Sequence, residues 1–71
     1  MKLSQERSRQ TREQILDAAR ALFAQQGFEA TSIEQVAGQA GVAKASIFAH
    51  FGDKTNLLAA LGIERIETLL E

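Results

Sequence analysis

Cysteine is absent from the 71 residues, so neither a disulfide nor a thiolate metal site is possible. Proline is absent too, and aromatics make up only 6%, with no tryptophan and no tyrosine. With a hydrophobic share of 45%, this suits a compact all-helical domain whose core is built from alanine and leucine. No apolar run approaches the ~18 residues that a membrane span needs. The opening MKLSQERSRQ is charged and no apolar segment follows it, so it does not read as a secretory signal. A cytoplasmic protein without membrane attachment is the expectation. His50 is the only histidine, and it lacks the cysteine and carboxylate partners of a metal site. No nucleophile, base and orienting group form a set. Neither an enzyme nor a cofactor site is expected.

What is present has a distribution that the totals hide. The length allows one small domain, burying roughly 60% of its unfolded surface. Net charge is only −1, which taken alone argues against a polyanion partner. The basic residues Lys2, Arg7, Arg9 and Arg12 nevertheless crowd the first twelve positions against the single carboxylate Glu6. A basic arm on a more acidic remainder is a pattern for binding a polyanion at one end. Residues 1–8 are therefore read as a flexible basic arm.

Hydrophobic spacing then marks helices. Ile15, Leu16, Ala19, Leu22 and Phe23 share one helical face, which predicts a helix over residues 11–26. TREQ at residues 11–14 has capping-box spacing for its start, and Gly27 suits its stop. Phe28 is expected to fold back on the last turn. TSIE at residues 31–34 is a second capping box, opening a short helix in which Ile33, Val36, Ala37 and Ala40 face inward. Ala37 and Gly41 are small, so another helix is expected to pack closely there. A third helix follows to His50, with Ile47 and Phe51 inward. Asp53 caps a fourth, whose inward candidates are Leu57, Leu58, Leu61, Ile66, Leu69 and Leu70. That helix reaches the last residue without a stop signal, which is read as a fragment or as an unpaired helix face.

Two short helices joined by a tight glycine turn make a helix-turn-helix, here over about residues 32–51. Val42 plugs the angle between them. The second helix must bury one face and leave the other free for a major groove about 12 Å wide. Stepping about 100° per residue along it puts Ala49 opposite Ile47 and Phe51, with Ala45 and Ser46 flanking. Lys44 and Phe48 lie on one border and His50 on the other. Only Lys44, Ser46 and His50 can donate a hydrogen bond from this surface. The alanines can contact thymine methyl groups, so reading is expected to rest on methyl contacts and shape more than on bidentate hydrogen bonds.

The run TREQILDAARALFAQQGFEATSIEQVAGQAGVAKASIFAHFGDKTNLL closely resembles the N-terminal DNA-binding domain of the tetracycline-repressor (TetR-type) family of bacterial transcription regulators. The pieces that carry the likeness are ILDAA and ALF, then GFEATSIEQVA, then AGVAKASIF with HF, then DKTNLL. It covers residues 9–69. It implies a homeodomain-like, three-helix fold plus the start of a fourth, connecting helix. Residues 70–71 would begin an absent C-terminal domain that binds a small-molecule effector and makes a homodimer. The implied function is a repressor of transcription on palindromic double-stranded operator DNA, relieved by that effector.

By position and by resemblance, Thr31 and the Ser32 amide are candidate phosphate contacts, and Lys54 is a second clamp. Arg9 is the arm residue included with Lys44, Ala45, Ser46, Phe48, Ala49 and His50 in the candidate DNA surface. Two departures from the family stand out. Phe48 replaces a tyrosine whose hydroxyl holds a phosphate, and is expected to keep only packing. Ala43 replaces a hydroxyl N-cap, which weakens the start of its helix. The rival reading is a helical protein-interaction module that docks a partner through the fourth helix.

Overall fold

The computed structural model describes the backbone of residues 2–70 and the side chains of residues 7–62. Within it the chain forms four helices: α1 (Lys2–Gln26), α2 (Ile33–Ala40), α3 (Lys44–His50) and α4 (Lys54–Leu70). α1 packs on each of the other three, and α2 packs on α3. The buried core is Ile15, Leu16, Ala18 and Ala19 from α1, Val36 and Ala37 from α2, Ile47 from α3 and Leu57 from α4. Each fully buried aliphatic side chain contributes about 1.5–3 kcal/mol by leaving water. Of the stripe read from spacing, Ile15, Leu16 and Ala19 are in the core with Ala18 added, while Leu22 and Phe23 are half-buried and pack against it.

α1 starts earlier than its periodicity suggests. Helix runs from Lys2, so TREQ is an internal turn rather than a start, and the stretch read as an arm has helical backbone. Residues 2–10 contain no glycine or proline and are mostly good helix formers, so nothing local stops the helix. Apolar periodicity ends where core contact ends, not where the helix ends. The side chains of Lys2, Ile66, Leu69 and Leu70 lie outside the described residues. Leu58, expected inward, is 45% exposed, because among the described residues of α4 it is Leu57 that turns fully into the core.

The caps decide how the short helices are joined. Gly27 lies at φ 90° and its N–H donates to the Phe23 carbonyl at 2.9 Å, closing α1. Phe28 then returns to α1, its ring 5.4 Å from that of Phe23. Gly41 closes α2 in the left-handed region at φ 72°, with its N–H and that of Val42 both donating to the Ala37 carbonyl. A Cβ placed on Gly41 would meet nothing within 4 Å. The glycine is needed for its dihedral angle and not, as its size suggested, for close helix approach. Val42 packs against the core at the bend. Asp53 accepts the Asn56 N–H at 2.9 Å and so caps α4.

Candidate nucleic-acid interface

The entry to α2 differs by one residue from the reading of its sequence. Ser32, not Thr31, is the N-cap: its hydroxyl accepts the Gln35 N–H at 3.1 Å, and the Gln35 side chain accepts the Ser32 N–H at 3.0 Å. Thr31 is fully buried, and its hydroxyl donates to the Gly27 carbonyl at 2.8 Å. It therefore drops out of the candidate phosphate contacts, since an enclosed hydroxyl already committed to a carbonyl cannot also face DNA. The Gln26 amide reaches Gln35 at 2.8 Å and Thr31 at 3.3 Å, lacing the end of α1 to the start of α2. Neither Gln26 nor Gln35 stood out in the sequence. The signal was there in SIEQ, whose spacing makes a capping box as good as TSIE.

α3 is seven residues long and enters without a side-chain cap, as the alanine at position 43 implies. Ile47 is its buried residue. Lys44, Ala45, Phe48 and Ala49 are exposed, while Ser46 and His50 are half-buried. The structure thus brings both alanines and the phenyl ring together on the outward surface. Phe48 is 48% exposed and does not retreat into packing, because Ile47 already fills the inward position. The polar reach of this surface is narrower than the residue types suggested.

Lys44 and Lys54 are both engaged. The Lys44 ammonium donates to Glu34 at 2.6 Å and lies 5.8 Å from the centre of the Phe48 ring. It holds the Glu34 carboxyl below its ordinary value by hydrogen bond and charge. The Lys54 ammonium donates to the Phe28 carbonyl at 2.8 Å and sits 4.3 Å over the Phe28 ring. It tethers α4 to the turn before α2. Arg12 lies 5.3 Å over the Phe51 ring, joining α1 to the end of α3. Arg9 is exposed one turn earlier on α1, on the edge that Arg12 turns toward α3. Glu34 is the member of this surface that sequence reasoning missed. Its signal was an opposite charge in the first turn of each of the two short helices.

Among the described residues no group of three or more histidine, aspartate or glutamate side chains is placed to hold a metal ion. No helix there is long and apolar enough to cross a membrane.

Residues 15–61 match the family model for bacterial regulatory proteins of the tetR family. The chain is 40% identical over 58 residues to the HTH-type transcriptional regulator AcrR of Shigella flexneri, covering 82% of this chain and 27% of that protein. It is 38% identical over 61 residues to the HTH-type transcriptional repressor AcnR of Corynebacterium glutamicum, covering 86% and 32%. Over 68 residues it is 35% identical to the HTH-type transcriptional repressor Rv1474c of Mycobacterium tuberculosis, covering 96% and 36%. The chain thus spans about a third of the length of these relatives.

Proposed function

The chain belongs to the tetR family of bacterial regulatory proteins, and on that premise we propose that it is the operator-binding part of a transcriptional repressor. The observation that carries this reading is the α2–turn–α3 unit, in which one face of α3 closes the core through Ile47 and the other stands exposed. Such a helix can enter the major groove while α2 lies across the backbone. Ala45, Phe48 and Ala49 meet the base edges, and their apolar groups suit the methyl of thymine. The Ser32 end of α2, Lys44, Ser46, His50 and Lys54 take positions along the phosphates, and Arg9 extends the contact from α1. Lys54 keeps a positive charge there, since its partner is a neutral carbonyl.

A palindromic operator read by a homodimer, with relief by a small molecule, belongs to the same proposal. So does a cytoplasmic location, where chromosomal DNA is reached. These rest on the family and on the chain's similarity to relatives that are transcriptional repressors.

Selection of bound duplexes from a random pool, followed by a salt titration, tests the reading. Enrichment of one thymine-containing motif, with affinity falling steeply as salt rises, is the expected result. Absence of any enriched motif, with retention insensitive to salt, sinks it.

A further inference from the structure

The two lysines of the reading unit carry their charges differently. Lys54 pairs with a neutral carbonyl, so that pair remains positive. Lys44 pairs with the Glu34 carboxylate at 2.6 Å, so its charge is cancelled. Glu34 stands in the first turn of α2, where the helix end favours an anion. It is available for Lys44 because the cap falls on Ser32, which assigns the reciprocal capping role to Gln35. Lys44 opens α3, next to the exposed Ala45 and one turn before Phe48. A carboxylate therefore sits at the edge of the surface that would meet DNA, on the cation best placed to meet a phosphate there. Both members are open to solvent, with side chains 48% exposed for Lys44 and 66% for Glu34. An exposed ion pair is held weakly enough for another anion to replace one partner.

We propose that Glu34 is an internal stand-in for a DNA phosphate, holding Lys44 at the entry of α3 until the DNA backbone displaces it. The inference rests on the DNA-binding reading above. It makes Glu34 an affinity-limiting residue. Every phosphate that takes Lys44 leaves an unpaired carboxylate beside a polyanion, so weakly fitting DNA gains little from this lysine. Duplexes that seat α3 closely enough recover the loss through the groove contacts of Ala45, Phe48 and Ala49. Glu34 then favours close fit over general attraction to DNA.

The test uses the whole 71-residue chain and a fluorescein-labelled duplex of mixed sequence, followed by anisotropy over a range of salt concentrations. Glu34→Gln keeps the size and an acceptor but removes the charge. It is expected to tighten binding several-fold and to steepen the salt slope by about 0.9, the release that accompanies one phosphate contact. Lys44→Ala is expected to weaken binding less in the native chain, where Glu34 competes for the ammonium, than in the Glu34→Gln chain, where it abolishes the gain. Glu34→Ala should reproduce the gain, and circular dichroism checks that each variant is folded. Equal or weaker binding by both Glu34 variants overturns the inference. So does an equal loss from Lys44→Ala in the two backgrounds. Failure of every chain to bind the duplex at low salt overturns the DNA-binding reading, and the inference with it.

Discussion

At the scale of single residues, what is missing from α3 matters as much as what it presents. Ala43 has extended N-cap geometry, φ −73° and ψ 147°, but no side chain that can accept an amide. Ala43→Ser supplies that acceptor without changing the backbone. It is expected to stabilise the chain by about 0.5–2 kcal/mol, seen as a higher Tm in a circular dichroism melt. The outward face of α3 poses a different question, since Ala45, Phe48 and Ala49 have no hydrogen-bonding side chains. If they read thymine by its methyl group, replacing thymine with deoxyuridine in a selected duplex removes the contact and little else. Binding should weaken several-fold in an anisotropy titration, and unchanged affinity would count against apolar reading. The inward and outward positions of α3 were legible from its period, because Ile47 and Ala49 obey helical spacing. The fate of the Lys44 ammonium was not, because a flexible side chain chooses its partner in space.

At the scale of elements, the helices and their order were legible, but their ends were only partly so. Gly27, Gly41 and Asp53 act as punctuation where the sequence places them. Two starts moved. α1 extends back through TREQ because a capping box marks a possible start and cannot stop a helix arriving from before it. α2 starts from Ser32 because the Thr31 hydroxyl is claimed by the Gly27 carbonyl. The α2–α3 turn permits a sharper test. Gly41 sits at φ 72°, with open space around the position a Cβ would take. Gly41→Ala should therefore cost about 1–2 kcal/mol through backbone strain alone. Gly41→Asn should cost less, since asparagine tolerates this region better. Denaturant midpoints of the two variants distinguish strain from steric exclusion, for which the larger asparagine would be the worse substitution.

At the scale of the whole molecule, a few side chains hold α3 in place. Ile47 and Leu57 are fully buried and bring α3 and α4 into the α1–α2 core. Leu57→Ala is expected to destabilise by about 2–5 kcal/mol. For a chain of this size that is a large share of the total, at roughly 0.05–0.15 kcal/mol per residue. Its DNA binding should fall in step with the unfolded fraction and recover on cooling toward the stability maximum. Ala49→Glu places a charge on the outward face instead. It should abolish binding while leaving the thermal melt unchanged, which separates the interface from the scaffold.

The sequence by itself determined the four helices, the inward stripe of α1, the glycine turn and the uncapped start of α3. All of these depend on residues within a turn or two of each other, where spacing and backbone chemistry act locally. Tertiary structure decided the rest. It chose Ser32 over Thr31 as the cap, left Leu58 and Phe48 outside, and paired Lys44 with Glu34 across 10 positions and Lys54 with Phe28 across 26. Those pairings exist only once α1 has gathered the other helices, because no local rule brings together groups so far apart in the chain.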